Sequence, residues 1–149
     1  MIKILKADKK DSLEDEWHKV DVPHYGKPIE WNEESFRFKA MDNGKLVGTI
    51  NGRHESGVIY IEALITKESE RGRGIGTKLI KRAENFGKKF GAHRAWLITG
   101  IDWKENLFYK KLGFKKIGDL PDFHFHKDFV IYTREIKMIH SKLAPLTPH

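Results

Sequence analysis

The sequence predicts a mixed α+β fold, with a central, mostly antiparallel sheet of six to seven strands that contains one parallel pair and is flanked by helices. Three observations predict it. Phe36 to Ile65 alternates apolar and polar residues between tight-turn residues, the pattern of a β-meander. The next stretch reads strand, helix, strand, which requires a crossover and therefore a parallel pairing of the fourth and fifth strands. Phe114–Ile117 and Phe129–Glu135 then read as two closing strands.

A chain of 149 residues suits one domain with one sizeable core, here taken as 1–149. The apolar fraction of 39% and the charged fraction of 33% are those of a packed globular protein and exclude a disordered one. No run approaches the roughly 18 apolar residues of a membrane span, so no membrane partner is expected and the default compartment is the cytoplasm. With no cysteine, disulfides, thiolate metal sites and cysteine nucleophiles are excluded. A formal charge of +7 attracts phosphorylated or acidic ligands. The cations are scattered from Lys3 to Lys142 rather than gathered on one segment, which argues against nucleic acid.

In chain order, Ile2–Lys6 alternates and reads as a first strand, and Ser12 is placed to cap a short helix through Trp17. Val20–Asn32 holds Pro23, Gly26 and Pro28 with Tyr25 and Trp31, and reads as a loop carrying exposed aromatics. Asn43-Gly44 predicts a tight hairpin between the second and third strands, and Glu55-Ser56-Gly57 a second turn into the fourth. Ile75, Leu79, Ile80, Ala83, Phe86 and Phe90 recur at helical spacing, with Gly91 as the stop. Ala95–Thr99 reads as a buried strand and Trp103–Leu112 as a helix ended by Gly113. Residues 137–149, with Pro145 and Pro148, show no element and are expected to be a mobile tail.

Between the fourth strand and the long helix lies Arg71-Gly72-Arg73-Gly74-Ile75-Gly76. A glycine-rich turn opening a helix points free amides at an anion where the helix dipole is positive, and Arg71 and Arg73 add charge. An ordinary loop before an amphipathic helix has the same composition. A P-loop requires Gly-Lys-Ser/Thr, whereas the order here is Gly76-Thr77-Lys78, and the dinucleotide fingerprint requires a wider final glycine spacing.

Arg71-x-x-Gly74-x-Gly76 resembles the coenzyme A signature of the GNAT acetyltransferases, Arg/Gln-x-x-Gly-x-Gly/Ala. Tyr60–Thr66 resembles that family's fourth strand, and Leu107–Phe114 resembles its second signature, Tyr-x-x-x-Gly-Phe, here Tyr109 to Phe114. The likeness runs from about Phe36 to Phe114. It implies a GNAT-like fold with the parallel fourth and fifth strands splayed apart, and acetyl-coenzyme A as acyl donor with no metal. It further implies that the amides of Arg71, Gly72, Arg73, Gly74, Ile75 and Gly76, with Thr77, hold the pyrophosphate. The backbone of Leu64, Ile65 and Thr66 would pair with the pantetheine arm. Asp102 stands where the family has an asparagine, and Glu105 replaces a small residue, so Asn106 is taken as the substitute cofactor contact. A homodimer is also compatible with the resemblance.

Acetyl transfer needs a neutral amine, a polarised carbonyl and a proton for the departing thiolate. Tyr109 matches the family's tyrosine near the thioester sulfur and is the candidate acid and cofactor contact. A backbone N–H near Leu64 or Ile65 would polarise the carbonyl. Glu62, read as sharing a face with Tyr60 and Leu64, is a candidate base; a cross-strand ion pair is the other reading. His124 and His126 are alternative bases. Tyr25, Trp31, Glu62, His124 and His126 are the candidate acceptor residues, with Trp17, Asp122, Phe123 and Phe125 as further lining. The expected function is N-acetyl transfer to a primary amine of a small molecule; the alternatives are a protein or peptide acetyltransferase and a non-catalytic coenzyme A- or nucleic-acid-binding module.

Overall fold

The computed structural model describes residues 1–137; the tail expected to be mobile falls, beyond Lys137, outside them. The chain divides into two compact units, Met1–Trp31 and a second that begins at Asn32. In the first, α1 spans Glu14–Tyr25. It starts without a side-chain cap, so the cap expected at Ser12 does not form. It continues through Pro23 and stops where Gly26, at φ 78°, donates its N–H to the Val22 carbonyl at 2.8 Å. The loop expected from Val20 is therefore helical as far as Tyr25. Ile2–Lys6 forms no strand, because its backbone has no strand to pair with.

The second unit is a six-stranded sheet in the order β1-β2-β3-β4-β6-β5. Its strands are β1 (Glu33–Asp42), β2 (Lys45–Glu55), β3 (Val58–Thr66), β4 (Arg94–Gly100), β5 (Lys115–Leu120) and β6 (Phe129–Glu135). The first three form the expected antiparallel meander. Asn43 and Gly44 both take positive φ in the first hairpin turn, as do Ser56 and Gly57 in the second. α2 (Ile75–Lys88) carries the chain across to β4, which lies parallel to β3. α3 (Glu105–Lys111) follows, and β6 returns between β4 and β5.

Two features of β3 position everything downstream. Its pairing with β4 covers only Val58↔Arg94, Ile59↔Ala95 and Tyr60↔Trp96, although both strands run on. At the same place its register with β2 passes from Gly52↔Ile61 to Asn51↔Ala63, leaving Glu62 as the extra residue of a bulge. The bulge changes the phase of the strand. Ile59 and Ile61 face the core before it, and Leu64 packs on that core after it. Tyr60 and Leu64, expected on one face, therefore lie on opposite faces.

The core is a single cluster on the helix-bearing face, built from β1 to β4, β6, α2 and α3. α2 buries Leu79, Ile80, Ala83 and Gly87 against it, together with the acid Glu84. Glu84 is held by Arg134 of β6 in a two-pronged pair, at 2.8 Å to Nε and 2.6 Å to an η nitrogen. The third Arg134 nitrogen donates to the Leu112 carbonyl at the end of α3, and the guanidinium lies over the Phe114 ring. One side chain thus ties α2, α3 and β6 together. Truncating Arg134 to Ala leaves the 10%-exposed Glu84 carboxylate without its partner, and a loss of about 3 kcal/mol is expected in urea denaturation. Glu84→Gln together with Arg134→Met should recover most of that loss.

Candidate active site

The splay begins beyond Tyr60 and Trp96, whose rings stack with centroids 4.1 Å apart. From there to Thr66, β3 pairs with β2 on one side, through Ile50↔Leu64, Thr49↔Ile65 and Gly48↔Thr66, and no described strand pairs with its other edge. Because successive residues of an antiparallel ladder turn their N–H and C=O to opposite edges, and Lys67 donates to Val47 of β2, Leu64 and Thr66 are the residues of this stretch that present backbone amides and carbonyls to a gap.

At the end of that gap the chain turns through Arg71–Gly74 into α2. Gly72 and Gly74 have φ of 84° and 76°, and a Cβ on either would meet nothing within 4 Å. These glycines are required by backbone conformation, not by crowding. Gly76 is the reverse case, since a Cβ there would come 3.0 Å from Cζ of Phe108 on α3. Its absence lets the two helices approach. No side chain caps α2, and its first intrahelical bond runs from the Lys78 amide to the Gly74 carbonyl. The amides of Gly72 to Thr77 have no partner among the described residues, and they lie in exposed or half-buried backbone at a helix N-terminus. The arginines differ. Arg73 is tied to Asp42 at 2.9 Å and to Glu70, while Arg71 is exposed with no acid partner among the described residues.

Tyr109 sits on α3 between Phe108, Phe114 and Tyr132, with only 7% of its surface exposed. Its hydroxyl bonds to no described residue. Burial, with a smaller contribution from the Glu105 charge, pushes its pKa up to about 12. Asn106 is fully engaged within the protein: its amide nitrogen donates to the carbonyls of Gly100 at 2.9 Å and Trp103 at 2.6 Å, and its oxygen accepts from the Tyr132 hydroxyl at 2.7 Å. This side chain braces the start of α3 against the end of β4.

Glu62 stands exposed on the bulge, with a carboxylate oxygen 2.8 Å from Arg53, the cross-strand ion pair that its sequence position allowed. Arg53 in turn lies over the Tyr60 ring at 4.8 Å. Tyr60 has a raised pKa, from burial first and then the Glu62 charge, with Arg53 pulling the other way. His124 and His126 lie in a 3₁₀ turn whose Phe125 is 94% exposed. Asp122, Phe125 and His126 there all take positive φ, and His126 Nδ1 is 2.7 Å from Asp122 Oδ1. The amide of Ile101, just after β4, donates to the Asp128 carbonyl, so this turn lies beside the end of β4. Tyr25 and Trp31 belong to the first unit, where their rings meet edge to face at 6.0 Å. Sequence reading missed the Glu84–Arg134 pair and the Asn106–Tyr132 brace. An acid at position 84, in the buried stripe of Ile80, Ala83 and Gly87, was the available signal for the first.

An open strand edge leading to a glycine-rich helix N-terminus defines a site for an extended ligand with an anionic centre. The match to the model of the acetyltransferase (GNAT) family over residues 2–114 identifies the scaffold. The chain belongs to this family, whose acyl donor is acetyl-coenzyme A. The chain is similar to N-alpha-acetyltransferase 30 of Schizosaccharomyces pombe, 33% identical over 91 residues, or 57% of this chain and 59% of that one. Blasticidin-S acetyltransferase of Streptomyces morookaense is 28% identical over 83 residues, 55% and 60% of the two chains. The solved structure of an aminoglycoside 6'-N-acetyltransferase complexed with coenzyme A shares the fold at TM-score 0.61 and 19% identity, covering 90% of this chain and 97% of that one. The matched stretch spans 41% to 60% of the curated relatives' lengths. Among the described residues no helix is long and apolar enough to cross a membrane, and no group of three or more His, Asp or Glu is placed to hold a metal ion.

The conformational argument at Gly74 predicts that Gly74→Val lowers stability by about 1–2 kcal/mol in urea unfolding, since a branched residue at positive φ is strained. Gly74→Asn should cost clearly less, because asparagine tolerates this region. Equal losses would refute the argument.

Proposed function

We propose that this chain moves the acetyl group of acetyl-coenzyme A to a primary amine of a small molecule by direct attack. The observation that carries this reading is the gap between β3 and β4, which has a free strand edge along one wall and leads to unpartnered amides at the N-terminus of α2. The residues fit the donor. The amides from Gly72 to Thr77 suit a pyrophosphate, with Arg71 free to add its charge. The edge at Leu64, Ile65 and Thr66 suits the two amides of a pantetheine arm, taken up like an added strand. When bound, the donor supplies an activated thioester. An amide near Leu64 or Ile65 polarises its carbonyl, and Tyr109 gives a proton to the leaving thiolate. Asn106 positions α3.

The acceptor reaches the gap from the face opposite α2, where Tyr60, Trp96 and Arg53 lie, and Glu62 on the bulge draws in the ammonium form and takes its proton through water. His124 and His126 belong to the acceptor side, as does the aromatic rim that includes Phe125. The similarity to blasticidin-S acetyltransferase supports a small-molecule amine. The similarity to N-alpha-acetyltransferase 30 supports a second reading, a peptide N-terminus. The cytoplasm is the proposed compartment.

Thiol release from acetyl-coenzyme A, followed with polyamines, amino acids, aminoglycosides and short peptides, tests the reading. Turnover with a small amine supports it, turnover restricted to peptides transfers it to the second reading, and no coenzyme A binding at millimolar concentration removes it. Tyr109→Phe should lower kcat about a hundredfold with coenzyme A affinity unchanged.

The raised pKa of Tyr109 sets the pH dependence. The donating form is neutral and persists until the pH nears about 12. Activity should therefore rise with pH as the amine deprotonates, with no descending limb from Tyr109 below about pH 10. A descending limb centred lower that disappears in Tyr109→Phe would overturn the raised pKa while leaving the proton-donor role in place.

A further inference from the structure

An aromatic cup stands at the carboxyl end of β4, on the face of the sheet opposite α2. Val130 and Tyr132 of β6 belong to the core, so Phe129 turns to the other face, where it pairs with Gly100 of β4. Three rings meet Phe129 at steep angles: Trp103 at 5.5 Å between centroids, Phe123 at 6.0 Å and His124 at 5.2 Å. Phe129 is buried at the floor, whereas Trp103 is 51% and Phe123 43% exposed. Gly100 explains the placement of Trp103. A Cβ at position 100 would come 2.4 Å from atoms of the indole, so only glycine lets the ring fold back over the end of β4. The Trp103 amide closes this turn onto the Gly100 carbonyl at 3.2 Å, and Asn106 donates to the Trp103 carbonyl at 2.6 Å. A large ring is thus fixed in place with half its surface uncovered.

Charge narrows the occupant. Residues 101–107 and 121–128, which frame the cup, hold four acids and two lysines in a chain whose formal charge is +7. Asp102, next to Trp103, and Glu105 have no basic partner among the described residues. Ring faces and unpaired carboxylates both attract an ammonium group, and an apolar floor favours one carried on hydrocarbon over a bare ion. A carboxylate in the same place meets repulsion. Along this face of β4, half-buried Trp96 and Ile98 lead from the start of the splay to Gly100, a rise of about 13 Å over four residues. An acceptor lying along β4 with one end in the gap places its other end over the cup.

We propose that the cup around Phe129 is a subsite for a second, remote ammonium of the acceptor, with Trp103 as the residue that determines specificity, so that the preferred acceptors are diamines and polyamines on hydrocarbon chains. The proposal rests on the acetyltransferase reading and narrows its small-molecule amine to one chemical class. It adds no step to the transfer. The amine in the gap gives up its proton and attacks, while the far ammonium stays charged, because the charged form is the one that the rings and carboxylates hold.

Three acceptors of equal length test it: 1,8-diaminooctane, octylamine and 8-aminooctanoate, whose far ends are an ammonium, a methyl and a carboxylate group. In kcat/KM the intact chain should favour the diamine over octylamine about tenfold and over the carboxylate about a hundredfold. Trp103→Leu, which stays apolar but loses the ring face, should bring the diamine to within about twofold of octylamine, and Trp103→Phe should retain most of the preference. Gly100→Ala, which keeps the indole but displaces it, should act like Trp103→Leu; melting curves check that each variant folds. A second measurement needs no turnover. The indole N–H resonance of Trp103, assigned by its loss in Trp103→Phe, should shift on titration with butyltrimethylammonium and stay in place with butyrate. Octylamine used as well as the diamine, a preference that survives Trp103→Leu, or a Trp103 resonance indifferent to the ammonium ligand overturns the subsite. A Trp103 shift in a chain that binds no coenzyme A would instead remove the acetyltransferase reading and leave the cup as a cation site.

Discussion

The separation of β3 from β4 after three residue pairs is the constraint on which the site depends. Two neighbouring strands ordinarily continue to pair, because each unpaired amide or carbonyl shielded from water is costly. Here both strands are diverted. The Glu62 bulge shifts the phase of β3, turns Leu64 toward the helices and bends the strand just where pairing with β4 ends. At the far end of β4, Asn106 supplies the Gly100 carbonyl with a donor from a side chain instead of a strand. Backbone hydrogen-bonding capacity is thereby left open along one wall of a cleft, at the carboxyl ends of two parallel strands, where α/β topology places ligands.

Much of this was legible in the sequence, and the part that was not has a common physical character. Asn43-Gly44 and Ser56-Gly57 announce their hairpins because positive φ is a local requirement. The turn from Arg71 to Gly76 announces itself for the same reason, and Gly74 bears it out with an open environment and φ of 76°. Gly76 carries a different meaning. Its glycine answers to a ring on α3, some 30 residues away, and composition cannot distinguish a flexible glycine from a crowded one. The bulge is invisible for a related reason: period-two alternation gives the face of a strand only until a partner strand inserts or omits a residue. Ile2–Lys6 shows the converse. It alternates well, yet alternation without a pairing partner makes no strand.

Charge follows the same division between local and distant information. A formal net charge of +7 describes the chain but not which cations remain available. Arg134 is bound to Glu84, Arg53 to Glu62, and Arg73 to Asp42 and Glu70, so these serve the frame. Lys78, Arg82, Arg37 and Lys39 are left without acids around a concavity between β1 and α2. Which cations are tied to acids is decided by the fold and cannot be read from their positions in the sequence.

The proposed proton donor shows how far such a frame must reach. α3 has only seven residues, too few to be stable alone, and its orientation must come from what holds its ends. Asn106 fixes the first turn to β4 and to the Tyr132 hydroxyl; Arg134 fixes the last turn through the Leu112 carbonyl. Tyr109 lies between these two fastenings, with its ring enclosed by Phe108, Phe114 and Tyr132 and its hydroxyl unbonded. Such enclosure removes rotamer freedom and raises the pKa by the same desolvation. A phenol held in this way stays protonated when the amine acceptor is neutral, so one burial event serves both the placement of the proton and its retention.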